Sequence, residues 1–182
     1  MADFRLRVTY AETGRLVMLS HLEIARALER AVRRAGLPYA VSQGFSPHMK
    51  QAFGSALPVG VGGLEEIFDV SLTDYVPPEE ALARLQASSA PDLMPHAARY
   101  ITKDETAASA AYPRSTYEAL LEASRSGDCE MGVLAAARAL SVPSEITVVR
   151  KKKERVLVPS EFIVGELEVE PAEPGEEGQE RA

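Results

Sequence analysis

The chain reads as an α+β protein whose first hundred residues form a ferredoxin-like β-α-β-β-α-β unit, an antiparallel sheet with helices on one face. Three observations predict it. FRLRVTYAE (4–12) and EEIFDVSL (65–72) carry the patterning of strands. SHLEIARALERAVRRAG (20–36) has the start signal, stop signal and three-to-four spacing of an amphipathic helix. The segments follow one another as strand, helix, two strands, helix, strand, which is the order of the motif.

In the first strand Phe4, Leu6, Val8 and Tyr10 share one face, while Arg5, Arg7 and Thr9 form a wet face. Gly14 marks a turn. Ser20 and Glu23 have capping-box spacing, and the helix is expected from His21 to about Ala35, with Gly36 as its stop and Pro38 beyond. Ala25, Leu28, Val32 and Ala35 are its expected buried stripe; Arg26, Arg30 and Arg33 form a second, cationic stripe. Tyr39-Ala40-Val41 starts an extended segment that Gly44 and Pro47 interrupt; residues 49–57 extend again until Pro58, Gly60, Gly62 and Gly63. In the next strand Ile67, Val70 and Leu72 are read as one face and Phe68 as the other. PPEEALARLQASS (77–89) is a helix opened by prolines, with Ala81, Leu82 and Leu85 apolar. DLMPHAARYITK (92–103) is a strand interrupted by Pro95.

The remainder is read as a smaller α+β half, a partial second ferredoxin-like unit without residue-level repetition of the first. STYEALLEAS (115–124) is taken as a strand, CEMGVLAAARALS (129–141) as a helix, and EITVVRKKKERVLVPSEFIVGELEVE as two strands around a basic stretch. The expected divisions are 1–106, 107–169 and an acidic, disordered tail over 170–182.

Charge is unevenly placed. The net charge is −7, and residues 161–182 account for it with eight Glu and one Arg, so residues 1–160 are neutral with 19 acids and 19 bases. Residues 1–60 hold eight Lys and Arg against four acids, and RKKKER (150–155) is a second basic cluster; these are the places that attract a polyanion. No apolar run approaches the roughly 18 residues of a membrane span. The one cysteine, Cys129, excludes an internal disulfide and an all-cysteine zinc or iron–sulfur site within this sequence. A reduced, cytoplasmic protein is expected.

SQGFSPHMK (42–50) concentrates chemistry. Gly44 permits close backbone approach. Phe45 is either a plug into the core, the favoured reading, or an exposed platform on which a base stacks. Gln43 and His48 can meet base edges, and Ser46 and Lys50 are further candidate binding residues of the stretch. His21, with Ser20 at the helix start, is either packing or an anion contact. Phosphates would also be held by Arg26, Arg30, Arg33 and by Lys151, Lys152 and Lys153. There is no Walker loop, no nucleophile elbow and no metal-ligand spacing among His21, His48 and His96. An enzyme, if this is one, would have only His21 and His48 as general acid and base. No metal site and no cofactor are expected in this chain.

Ser20-His21-Leu22, Arg26, Arg33-Arg34-Ala35-Gly36-Leu37-Pro38, Ser42-Gln43-Gly44-Phe45-Ser46-Pro47-His48, Leu57-Pro58-Val59-Gly60-Val61 and Glu65-Glu66 together resemble the radical-SAM-linked protein family, a bacterial domain of unknown function. The likeness is dense over residues 4–72 and looser as far as ITVVRKKKER; Met49 departs from it where a small residue or Pro would precede the Lys. The resemblance implies a partner, because members are fused to, or encoded beside, radical SAM proteins with a cobalamin-binding domain. S-adenosylmethionine, the iron–sulfur cluster and cobalamin would then belong to that partner. The layout also resembles, at fold level alone, repeat-associated RNA-processing proteins of CRISPR systems. The expected function is a non-catalytic accessory module that binds RNA. The alternatives are a docking module for the radical SAM partner and a histidine-dependent RNA-processing enzyme.

Overall fold

The computed structural model describes residues 4–120, 135–139, 142–150 and 153–170. Strand β1 (Phe4–Glu12) lies between β3 (Gly63–Leu72) and β4 (Leu93–Ile101), and β2 (Gln51–Phe53) pairs with the outer edge of β3. All pairings are antiparallel, and the order β2-β3-β1-β4 is that of a ferredoxin-like sheet. Helices α1 (His21–Arg34) and α2 (Pro78–Ser88) cover one face.

Side-chain parity decides what each face holds. Leu6 faces Val70 and Val8 faces Phe68 across the β1–β3 ladder, and these meet Ile24, Leu28 and Val32 of α1 and Ala81 and Leu85 of α2 in one core. Complete burial of a side chain such as Phe68 is worth about 1.5–3 kcal/mol. Phe68 thus shares its face with Val70 and Leu72, not the opposite one, because strand side chains alternate strictly; Ile67 is the residue on the other side. The buried stripe of α1 is Ile24, Leu28, Ala31 and Val32. It is rotated from the expected Ala25–Ala35 line, since the helix turns its bulkiest apolar side chain inward. The capping box is present: the Ser20 N–H and hydroxyl both donate to the Glu23 carboxylate, at 2.8 and 2.7 Å, and hold it below the usual carboxylate range. Gly36, at φ 63°, ends the helix in the left-handed conformation.

Strand β2 is far shorter than the extended stretch expected over 49–57. β4 runs through Pro95 without a break, because it is the edge strand on the other side and Pro95 falls beside a register shift in which His96 is the extra residue opposite Thr9 and Tyr10.

The face away from the helices is not wet. Arg7 Nε donates to Asp69 Oδ1 at 2.7 Å and Arg7 Nη2 to Asp69 Oδ2 at 3.0 Å, directly across the β1–β3 ladder. Both residues are buried. The segment after β4 folds over the pair. Arg7 Nη2 also donates to the Thr106 carbonyl at 2.7 Å, and the Ala108 N–H, at the start of the short helix α3 (Ala108–Ala111), donates to Asp69 Oδ2 at 2.8 Å. The hydrogen bond to Asp69 raises the Arg7 pKa further above its ordinary value.

The chain divides into two compact units, with the boundary between Thr116 and Tyr117. The second unit contains the antiparallel hairpin β5 (Ile146–Arg150) and β6 (Lys153–Leu157), in register from Ile146–Leu157 to Arg150–Lys153. Of the segment expected as a strand over 115–124, residues 115–120 are neither strand nor helix, exposed, and without a paired strand among the described residues, and residues 121–124 lie outside the described residues. Lys151, Lys152, Cys129 and most of the expected helix over 129–141 lie outside the described residues, as do residues 171–182 of the expected tail. No helix among the described residues is long and apolar enough to cross a membrane.

Asp69→Ala leaves Arg7 buried without its counter-charge and releases the N–H of Ala108. It is expected to cost about 3–5 kcal/mol in urea unfolding. Hydrogen exchange in residues 105–111 should rise with it. An Arg7→Met, Asp69→Leu double variant should recover most of the stability.

Candidate functional site

The stretch around Phe45 is a projecting loop with a firm base. Val41 and Met49 form an isolated antiparallel bridge, and the Ser42 N–H donates to the His48 carbonyl at 2.8 Å. Met49 is buried in the core, so residues 42–48 must leave the sheet edge as a loop. Ser42 staples it: its hydroxyl accepts from the His48 N–H at 3.1 Å and lies 3.0 Å from His48 Nδ1. His48 Nδ1 also lies 3.2 Å from the Ser46 carbonyl, so the Nδ1 edge of the ring is held within the loop. Gly44, at φ 139°, supplies a backbone conformation that other residues rarely adopt.

Phe45 is not a core plug. Its relative exposure is 111%, that of a side chain touching almost nothing. The core closes at Met49, and the loop carries Phe45 beyond its reach. Gln43, Gly44, Ser46 and His48 are also exposed. An exposed aromatic ring on a stapled loop forgoes about 1.5–3 kcal/mol of burial, so it contributes little to folding and is available to a ligand.

Below the loop, an open cleft of about 350 Å³ is lined by Arg5, His48, Lys50, Ala52, Asp69, Ser71 and Ala107 among others. Lys50 reaches it because it alternates with Met49 and Gln51 onto the face away from the helices. Arg5, Arg7, Asp69 and Ser71 were not singled out as site residues from the sequence. The signal for them was the alternation of β1 against an acid in DVSL, legible only once the register was known.

The arginine stripe belongs to the other layer. Arg26, Arg30 and Arg33 are all exposed on α1. Arg33 pairs with Glu29, one turn earlier, and its guanidinium lies 5.7 Å from the ring centre of Tyr39, where the chain enters the loop. The C-terminal end of the stripe therefore meets the root of the loop. Ser20 is spent on the capping box. His21 packs edge-on against Phe53, ring centres 5.5 Å apart, on the helix side of the sheet. His48 faces the cleft on the other side, so the two histidines are not brought to one site. Of the basic stretch, Lys153 is described and exposed at the start of β6, in the second unit. No group of three or more His, Cys, Asp or Glu suited to a metal occurs among the described residues.

A second cluster escaped sequence reading. Glu12 is buried at the end of β1, and burial first, then the nearby Glu66 carboxylate, pushes its pKa up to about 7. Burial raises Glu66 and the Tyr10 phenol too; Tyr10 and Glu66 are register partners. The folded chain therefore holds these protons more tightly than the unfolded chain, and stability falls as pH rises from about 4.5 to about 7 and then levels. Glu12→Gln should flatten that part of the curve, measured as the denaturant midpoint across this pH range; an unchanged slope would place the titration elsewhere.

A family model described as an uncharacterized protein conserved in bacteria (DUF2344) matches residues 5–164. No curated protein matches the chain.

Proposed function

The chain belongs to this bacterial family, and we propose that it is a non-catalytic, cytoplasmic accessory module that holds single-stranded RNA for a radical SAM enzyme. The observation that carries the RNA reading is Phe45, fully exposed on a loop stapled by Ser42 and His48. Stacking on such a ring accepts any base face, and alanine replacement of stacking aromatics removes about 1–3 kcal/mol per base. Gln43 and the Nε2 of His48 offer edge contacts beside the ring. Arg26, Arg30 and Arg33 supply phosphate contacts that approach the loop root through Arg33 and Tyr39.

The radical SAM assignment is supported by the resemblance over residues 4–72. It accords with the cysteine count: with Cys129 alone, this sequence lacks the three thiolates such a cluster needs, so cluster, S-adenosylmethionine and cobalamin belong to the partner.

Binding of a labelled single-stranded RNA oligomer, read by fluorescence anisotropy, tests the reading. Phe45→Ala should weaken binding by about 5- to 150-fold, the equivalent of one lost stack, with the unfolding midpoint unchanged. The logarithm of affinity should fall with the logarithm of salt at about 0.7 per phosphate neutralised, and less steeply in Arg26→Glu, Arg30→Glu, Arg33→Glu. Affinity indifferent to both salt and Phe45 would overturn it. Recovery of a radical SAM protein from ribonuclease-treated extract, lost in Phe45→Ala, would instead make the loop a protein-docking element.

A further inference from the structure

We propose that the cleft on the sheet face away from the helices is a phosphate site, with Arg5 as its principal ligand and Lys50, Ser71 and His48 around it. The inference deepens the RNA reading, placing a nucleotide phosphate beside a base stacked on Phe45, but its basis is separate: the charge arrangement of this face.

The two acidic residues that Arg5 touches, Asp69 and Glu105, each already have an arginine of their own. Asp69 receives Arg7 at 2.7 and 3.0 Å and the Ala108 N–H at 2.8 Å, so both its oxygens are covered. The Glu105 carboxylate receives Arg99 at 2.8 Å and the Thr102 N–H at 3.0 Å, which hold it below the usual carboxylate range. Arg5 comes second to both. It reaches Asp69 Oδ2 and the Glu105 carbonyl only at 3.5 Å, the outer limit of a hydrogen bond, and its side chain is 24% exposed. Arg5 and Arg7 against Asp69 leave one positive charge in excess at the cleft floor, and Lys50, which has an interaction of its own within the chain, lines the same opening.

Register places the components. Arg5 is the direct partner of Ser71, and the Ser71 N–H donates to the Lys50 carbonyl at 3.0 Å, so Lys50, Ser71 and Arg5 form one row across three neighbouring segments. Adjacent strands are about 4.8 Å apart, which sets the Arg5 and Lys50 backbones about 10 Å from each other with a hydroxyl between them. That separation lets both long side chains converge on one tetrahedral anion above Ser71. The guanidinium fork matches two phosphate oxygens, and the ammonium serves as a point charge. Ala52 and Ala107 are small and leave the space open.

The test is titration of the whole chain, followed by amide chemical shifts, with inorganic pyrophosphate, adenosine 5′-monophosphate and adenosine. Pyrophosphate and the monophosphate should shift Arg5, Lys50, Ala52 and Ser71, adenosine should leave them still, and Arg5→Gln should weaken the response about tenfold. Lys50→Glu, at an exposed position, gives a second route should Arg5→Gln unfold the chain. Shifts confined to the arginines of α1, or a cleft response unchanged by both variants, would overturn the proposal. The RNA reading fails separately: phosphate bound in the cleft by a chain that ignores RNA keeps the site and discards the RNA. RNA binding whose salt slope is the same in Arg5→Gln does the reverse.

Discussion

The pairing of Arg7 with Asp69 is the contact on which the first unit depends. It clasps β1 to β3 through two short hydrogen bonds in a buried place. It also anchors the segment after β4, through the Thr106 carbonyl and the Ala108 N–H. A buried charge pair is a poor source of net stability, because desolvation consumes most of the attraction. It is a strong source of specificity. A one-residue slip of β1 against β3 would strand both charges and turn Leu6 and Val8 out of the core.

That clasp also explains why the two faces of the sheet differ. The helix face is an apolar core closed by Ile24, Leu28 and Leu85. The other face is polar but partly roofed, with Asp69 paired to Arg7 and Glu105 to Arg99. Arg5 is left near the cleft with weaker contacts, and Lys50 arrives there because Met49, one residue earlier, is drawn into the core. The same burial of Met49 projects residues 42–48 from the sheet edge with Phe45 in solvent. Core packing, register and candidate surface are thus one set of constraints.

Much of the first unit was legible in the residues. Strand β1, helix α1 with its capping box and Gly36 stop, the proline-opened α2 and the element order all follow from local signals that survive in the fold. Errors arose where a local reading had to choose between faces. Ala25 and Ile24 are adjacent and both apolar, and only the sheet beneath α1 selects Ile24. Phe68 falls on the side of Val70 and Leu72 by strict alternation, with Ile67 opposite, contrary to the expected faces. STYEALLEAS has strand-tolerant residues, but residues 115–120 have no paired strand among the described residues.

By itself the sequence determined where regular structure begins and ends, which segments are amphipathic, and that SQGFSPHMK concentrates ligand-binding chemistry, because caps, glycines and periodicity act over a few residues. Only the tertiary structure decided that Phe45 stands in solvent, that His21 and His48 lie on different faces, that Glu66 stands beside the buried Glu12, and that Arg5 and Lys50 line one cleft with Ser71. Those outcomes depend on burial and on cross-strand register between residues tens of positions apart. Burial and register are properties of the assembled sheet, and no local stretch of chain contains them.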